Sequence, residues 1–334
     1  MTDPAPPSGF APPGDTPPPA PANGYPPYPA PAYPSAPAYV SAPAGFGPLP
    51  WSLPKGGSPA TGPLPLHPMT VGDVLDGIFK LLRANFRTIA VIVGVLVIPF
   101  QLVAAFTQRN LIGGQSILRV INDPSTASTA RRGNLTTTVV ALVAALVNVL
   151  LLPFVGGAIA KVVAASYVGQ QIGPGEALRA MGRRAPALFA AWWIWHPIEI
   201  LGLVCCVLPG IAWMTMFVMV APVIVTEQLG PWAGLRRSWR LARRRFWGTM
   251  GMSLLAGLIG WVLGQVLNGV PSAVGLAIGL HWGWLLLALG GALSAMIVTP
   301  IAAITATLLY FDARIRTEGF DLEVIAAGLA TRGA

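Results

Sequence analysis

The chain has 334 residues, of which 54% are hydrophobic and only 10% are charged, whereas charged residues make up about a quarter of a soluble domain. That composition argues against a large soluble core and indicates a membrane protein with several spans. The net charge of +9 is carried mostly by arginines between apolar runs. Anionic lipid headgroups, rather than nucleic acids, are the nearest partners for charges in those positions.

The first predicted region is a proline-rich tail, residues 1–68, which holds most of the 34 prolines and very few charges. Such a segment cannot bury enough apolar surface to offset its ordering entropy, so we predict a disordered cytosolic tail. Its PPYP-type pieces can dock an aromatic groove on a cytosolic or membrane protein. The alternative is a solvated spacer.

Residues 69–316 are predicted to form the membrane domain, an all-α fold with six transmembrane helices arranged as three hairpins. Each apolar stretch is close to the roughly 20 residues that a helix needs to cross the hydrocarbon. The predicted spans are about 88–107, 137–160, 187–207, 209–227, 246–269 and 284–311. The third and fourth spans are predicted to turn near Pro209-Gly210. Residues 317–334 are predicted to form a short cytosolic segment.

An internal repeat precedes each predicted hairpin. Residues 168–178 read VGQQIGPGEAL, residues 225–235 read VTEQLGPWAGL, and a more diverged copy begins near Val71. In each copy a Leu begins an apolar stripe at helical spacing, which predicts an amphipathic helix on the cytosolic membrane surface. The three stripes are Leu75, Phe79, Leu82 and Phe86; Leu178, Gly182, Ala185 and Phe189; and Leu235, Trp239, Ala242 and Phe246.

The Lys and Arg residues that flank the predicted spans fall mostly on one side of the membrane. That side has Lys80, Arg83, Arg87, Arg179, Arg183, Arg184, Arg236, Arg237, Arg240, Arg243, Arg244, Arg245, Arg314 and Arg316. The opposite side has Arg109, Arg119, Arg131 and Arg132, all in the predicted loop 108–136. Because Lys and Arg favour the cytosolic side, both termini are predicted to be cytosolic in an inner or plasma membrane.

The strongest predicted functional surface is a cluster of arginines in residues 236–245. The cluster consists of Arg236, Arg237, Arg240, Arg243, Arg244 and Arg245. Each of them contributes about 1 kcal/mol at best beside an anionic leaflet, so we predict that this helix binds anionic membrane lipids. Trp239 and Phe246 are predicted to anchor in the interface. The alternative is that the charges only enforce topology. Nucleic acid is not an expected partner.

His196 and Glu199 are the candidate intramembrane polar site. They lie three residues apart on the third predicted span and therefore share a helix face. Ionisable residues inside a membrane are energetically expensive, and a pair of this kind can relay protons or bind a cation. The alternative is a structural pair, in which Glu199 is hydrogen-bonded to His196, Asn148 or Gln101. The chain has three histidines on different segments, and no metal site or cofactor is predicted.

Four segments resemble the glycerophosphoryl diester phosphodiesterase membrane domain family. They are LHPMTVGDVLDGIFKLLRANF (66–86), VTEQLG (225–230), LRRSWRLARRRFW (235–247) and LLYFDARIRTEGFDL (308–322). The resemblance implies a polytopic membrane unit of an actinobacterial type with a proline-rich tail. In that family a separate soluble domain carries the catalysis. A barrel-type hydrolase needs roughly 200 residues or more, so the resemblance implies a fold and a location, without the catalytic domain.

These features together predict a non-enzymatic polytopic inner-membrane module that organises lipid or partner proteins at the cytosolic membrane face. The alternative is a small-solute or lipid transporter that uses the pair His196 and Glu199. No catalytic residue is predicted, and the sequence leaves the oligomeric state open.

Overall fold

A computed structural model of the chain describes residues 68–109, 116–123, 135–167 and 169–319. Within these ranges the protein is 90% helical and contains no strand, which confirms the predicted all-α class. The proline-rich tail predicted for residues 1–68 lies outside the described residues except for Pro68. The predicted C-terminal segment is described only as far as residue 319.

Eleven helices make up the described part of the chain. They are α1 (Val71–Ala84), α2 (Phe86–Leu96), α3 (Ile98–Gln108), α4 (Ile117–Asn122), α5 (Leu135–Tyr167), α6 (Pro174–Cys205), α7 (Val207–Phe217), α8 (Val220–Thr226), α9 (Pro231–Arg244), α10 (Phe246–Ile278) and α11 (Leu280–Glu318). Five segments are long and apolar enough to cross a membrane, namely Thr138–Tyr167, Pro174–Cys205, Val207–Thr226, Phe246–Ile278 and Leu280–Glu318. The α2–α3 pair adds a sixth if its two helices count as one span. The prediction of several membrane spans is therefore confirmed.

The first predicted span is bent. Helices α2 and α3 meet at Val97 with an angle of 43° between them. Pro99 lies in the first turn of α3, where its missing N–H would have had no helical partner. Its ring also disfavours a continuous helix through the preceding turn. The bend therefore follows from the position of this proline.

Two predicted boundaries differ from the structure. The break between the third and fourth spans lies at Cys206 rather than at Pro209-Gly210. Pro209 instead occupies the first turn of α7, where proline is tolerated. The predicted surface helix that begins at Pro174 is not a separate element, because α6 continues through Pro186 into the span. Only two of the three predicted surface helices, α1 and α9, are therefore separate helices.

The most deeply buried part of the fold lies where the C-terminal halves of α5 and α11 meet. Ile159, Val163 and Leu308 are fully buried there, and the ring of Tyr167 stacks on Phe311 with 4.6 Å between centroids. Helices α1 and α9 both contact α11, and α8 contacts α5. The short helices therefore cover one end of the long ones.

The outer surface of the long helices is strongly apolar. Val204, Leu208, Trp247 and Trp282 are among the large apolar side chains, and they are between 73% and 79% exposed. Contiguous apolar surface of this kind indicates contact with a membrane or another protein. In a membrane-spanning bundle, lipid chains cover this surface.

The three repeats bury equivalent positions, but these lie one residue before the predicted stripes. The buried positions are Val74, Ala177 and Gly234, followed four residues later by Ile78, Met181 and Ser238. In the first copy, Phe79 and Phe86 are 48% and 45% exposed, whereas Leu82 is buried, so half of the predicted stripe faces outward. In the third copy, Leu235 and Ala242 are buried. The first helix therefore has one apolar face towards the core and a second towards the surroundings.

Candidate functional site: an arginine-bearing polar face

Helix α9 carries the predicted arginine cluster and packs against the rest of the protein through one buried face. The buried side chains of this face are Gly234, Leu235, Ser238, Leu241 and Ala242. The Ser238 hydroxyl donates to the carbonyl of Met216 at 2.9 Å. A side chain at Gly234 would collide with Ile224, so glycine allows the close approach of α9 to α8. The arginines are left on the flanks and outer face of the helix.

Arg237 forms the centre of the first ionic network. Its side chain is only 13% exposed. Its Nε and Nη2 donate to the carboxylate of Glu227 at 3.0–3.1 Å, and Nη2 also donates to Glu318 at 2.8 Å. Burial by itself would lower the pKa of Arg237. The hydrogen bonds to Glu318 and Glu227 outweigh burial and raise this pKa above its ordinary value.

Helix α11 completes this network. The Tyr310 hydroxyl donates to Glu227 at 3.0 Å, and Nε of Arg314 donates to Glu318 at 3.0 Å. Two carboxylates therefore face two guanidinium groups, and the charges balance. Such an arrangement is typical of a fixed structural joint, because buried charges persist where they are paired and hydrogen-bonded.

A second ionic network surrounds Asp312, whose side chain is 8% exposed. It accepts hydrogen bonds from Arg245 at 2.7 Å and from Arg316 at 2.9 Å. The backbone N–H of Met69 donates to the same carboxylate at 2.8 Å, and Arg316 donates back to the Met69 carbonyl at 2.7 Å. This network fixes the chain just before α1 against the end of α11.

The two networks bring together the four segments that carry the predicted family resemblance. Segment 66–86 enters through Met69, and segment 225–230 enters through Glu227. Segments 235–247 and 308–322 supply the arginines of α9 and the charged end of α11. The sequence pattern therefore corresponds to one polar joint in the fold.

The remaining four arginines of the predicted cluster are exposed. They are Arg236, Arg240, Arg243 and Arg244. Within the described ranges, no acidic side chain forms an ion pair with any of them. Arg179 and Arg183 of α6 are also exposed, and the adjacent Arg184 donates to Gln228 beside α9 at 2.7 Å. The predicted cluster thus divides into two structural arginines, Arg237 and Arg245, and an exposed basic face.

The aromatic residues around α9 occupy different positions. Trp239 is half-buried and packs against Trp213 and Phe217, with centroids 6.0 and 5.8 Å away. Phe246 is also half-buried and meets Trp247 edge-on at 5.2 Å. Trp247 is 76% exposed, and Trp232 at the start of α9 is 62% exposed. These two tryptophans were not predicted as interface anchors, and they expose rings of the kind that is enriched at membrane interfaces.

The structure brings His196 and Glu199 into contact. Nδ1 of His196 lies 2.8 Å from Oε2 of Glu199, whose residue is 6% exposed. Trp192 stacks on the imidazole at 4.6 Å, and Trp195 meets it edge-on at 5.1 Å. Proton relay or cation binding by this pair stays a prediction. It would be contradicted if proteoliposome flux were unchanged in Glu199→Gln.

Asn148 and Gln101, predicted as alternative partners of Glu199, instead face a cavity. This cavity of about 420 Å³ lies between α3, α5, α10 and α11. Its polar lining consists of Gln101, Asn148, Asn268, Ser272, Ser294 and Thr299. The sequence offers one signal for this cavity, since amide side chains are rare in the apolar helices. It does not predict that four different helices pack so that these groups meet.

Among residues 68–109, 116–123, 135–167 and 169–319, no three His, Cys, Asp or Glu side chains come together in a way that could hold a metal ion. No family model matches the chain, and neither a curated protein nor a solved structure matches it. The resemblance to the phosphodiesterase membrane domain family therefore stays a prediction.

Proposed function

We propose that this chain is a non-enzymatic, multi-span membrane module whose arginine face binds anionic lipid headgroups on the cytosolic side. The observation that carries the proposal is the division within α9. Arg237 and Arg245 form ion pairs with acidic partners. The other four arginines are exposed and have no acidic partner among the described residues; they are Arg236, Arg240, Arg243 and Arg244.

The two paired arginines support the action of the other four. Arg237 and Arg245 fix α9 to the end of α11, so the exposed guanidinium groups are presented on a fixed helix. Each basic side chain near an anionic surface contributes about 1 kcal/mol, and four together provide several. The exposed Trp232 in the first turn of α9 and the exposed Trp247 in the first turn of α10 are suited to the headgroup region. The Lys and Arg bias supports a cytosolic location for this face.

The test compares lipids retained by the full chain after reconstitution in bilayers of mixed phosphatidylcholine and phosphatidylglycerol. Native mass spectrometry measures the bound lipids on the wild type and on the variant R236Q/R240Q/R243Q/R244Q. We expect the wild type to retain phosphatidylglycerol preferentially and the variant to lose this preference. Retention should also weaken with salt, because exposed charges are screened.

The matched control is R236K/R240K/R243K/R244K, which keeps the charge and should keep the preference. A second control, R119Q, removes an exposed arginine of α4 on the opposite predicted side and should have no effect. Equal retention of phosphatidylglycerol by the wild type and the glutamine variant would contradict the proposal.

A further part of the proposed function is that residues 1–68 organise a partner protein. Pull-downs from native membranes with and without that tail test this part.

A further inference from the structure

The cavity between α3, α5, α10 and α11 brings together amide side chains from three helices. Gln101 comes from α3, Asn148 from α5 and Asn268 from α10. Gln265, a second amide of α10, is exposed and does not line the cavity. A volume of about 420 Å³ is far more than the roughly 30 Å³ of one water molecule and falls in the size range of small-molecule sites.

One buried hydrogen-bonding group of the lining has no partner among the described residues. The Asn148 amide nitrogen donates to the Ala144 carbonyl at 2.9 Å, but its Oδ1 is buried and has no partner in the described part of the chain. An unsatisfied buried acceptor costs about 1–3 kcal/mol. This oxygen therefore favours a ligand that brings a donor.

The neighbouring amides offer both kinds of group. Gln101 hydrogen-bonds with no side chain among the described residues. Gly291 lies next to it and has no side chain to fill the space beside the Gln101 Oε1, where an added Cβ would lie 3.4 Å from that oxygen. The Asn268 carbonyl accepts from Ser272 at 3.1 Å, which leaves the Asn268 amide nitrogen as a donor. A hydroxyl group both donates and accepts, so it matches this set.

Among the described residues, the lining contains no charged side chain and no histidine. A charged ligand would lose its hydration there without gaining a counter-charge, which is unfavourable between apolar helices. A purely apolar ligand would leave the Asn148 oxygen unsatisfied. The apolar remainder of the wall, including Val97, Leu152 and Leu287, suits a ligand with some hydrocarbon character.

We propose that this cavity is a binding site for an uncharged, hydroxyl-bearing group. Two sources share that chemistry: the glycerol moiety of a neutral lipid that enters from the bilayer, and a small polyol that enters from water. The site is separate from the arginine face, since none of the arginines of α9 lines it.

The test measures binding of two radiolabelled probes, diacylglycerol and free glycerol, to the full chain in phosphatidylcholine nanodiscs. Saturable binding of either probe is expected, and the probe that binds identifies the source. The variant Q101L/N148L removes two hydrogen-bonding groups and should weaken binding about thirty-fold, since each net hydrogen bond is worth about 1 kcal/mol. Q265L changes an exposed amide on α10 and should leave binding unchanged.

A second measurement does not depend on folding of the leucine variants. Cys205 and Cys206 are exposed, so they are first replaced by serine. Ser294→Cys then places one thiol in the cavity wall, and the probe that binds should slow its reaction with a maleimide. The proposal would be overturned if phosphatidic acid competed better than diacylglycerol for the same site. It would also be overturned if neither probe bound nor protected Ser294→Cys, because the cavity would then hold only water.

Discussion

The two halves of helix α11 differ in whether the buried polar groups around them have hydrogen-bond partners. Near its C-terminus, Asp312 is buried and accepts from Arg245 and from the Met69 N–H. Arg314 is also buried there and donates to Glu318 of the same helix. In its first half, Ser294 and Thr299 face a cavity in which the Asn148 oxygen lacks a partner. Satisfied buried polar groups fix the architecture, whereas unsatisfied ones indicate where a ligand would gain most.

The same distinction divides α9 within a few residues. Arg237 is mostly buried and shared between Glu227 and Glu318, but its neighbour Arg236 is exposed. Composition alone does not distinguish these two arginines. Their environments predict very different consequences for the same substitution.

The largest expected effect is that of Arg237→Met. It removes the cation and leaves two partly buried carboxylates short of a partner, so the free energy of unfolding should fall by about 3 kcal/mol. Arg236→Met is the matched control, one residue away and exposed, and it should change stability by less than about 0.5 kcal/mol. Thermal unfolding of both purified variants in the same neutral detergent measures the difference.

The pairing explanation is checked by removing the one carboxylate charge that Arg237→Met leaves in excess. Glu227→Gln, added to Arg237→Met, should restore part of the lost stability, because a neutral amide is cheaper to bury than a carboxylate and Glu318 stays paired with Arg314. If this double variant is no more stable than Arg237→Met, packing rather than charge pairing accounts for the role of Arg237.

At the opposite end of α11 we expect a smaller effect, and one of steric origin. Gly279 adopts a positive φ of 102° between α10 and α11, and Gly275 and Gly283 then bring the two backbones together. A Cβ at Gly283 would lie 2.6 Å from the Gly275 carbonyl carbon, and backbone atoms cannot move aside cheaply. Gly283→Ala should therefore cost about 1–3 kcal/mol.

Gly269→Ala is the control for this turn, because a Cβ there meets nothing within 4 Å. It should leave stability unchanged or raise it slightly, since alanine favours a helix by about 0.5–1 kcal/mol over glycine. Equal melting temperatures for the two alanine variants would show that the close approach of α10 and α11 is not required.

The sequence predicts the helical membrane class and the approximate spans because apolar run length and helical spacing are local properties. Boundaries depended on finer chemistry. The sequence predicts a turn at Pro209, but this residue lies in the first turn of α7, and Pro186 does not separate a surface helix from its span. A proline in a first turn looks the same in sequence as a proline in a loop.

The candidate sites were less accessible to sequence reasoning because they join distant segments. The arginine cluster was visible as a run of charge, but its division required knowing that Glu227 and Glu318 face Arg237. The cavity combines Gln101 with Asn268, whose helices are far apart in the chain. No local pattern indicates that such side chains share a space.

The smallest expected effect is that of R236Q/R240Q/R243Q/R244Q on stability, in contrast to its expected effect on lipid retention. Two opposing contributions nearly cancel. Arg243 and Arg244 lie in the last turn of α9, where each positive charge is favoured by about 0.3–1 kcal/mol at the helix C-terminus. The like charges at Arg236, Arg240 and Arg244 are four residues apart and repel by about 0.2–0.5 kcal/mol per pair. Because the side chains are also exposed, we expect the melting temperature in neutral detergent to match the wild type within a few degrees. A loss as large as that of Arg237→Met would mean that these arginines, too, are structural, and the division of α9 into paired and exposed charges would fail.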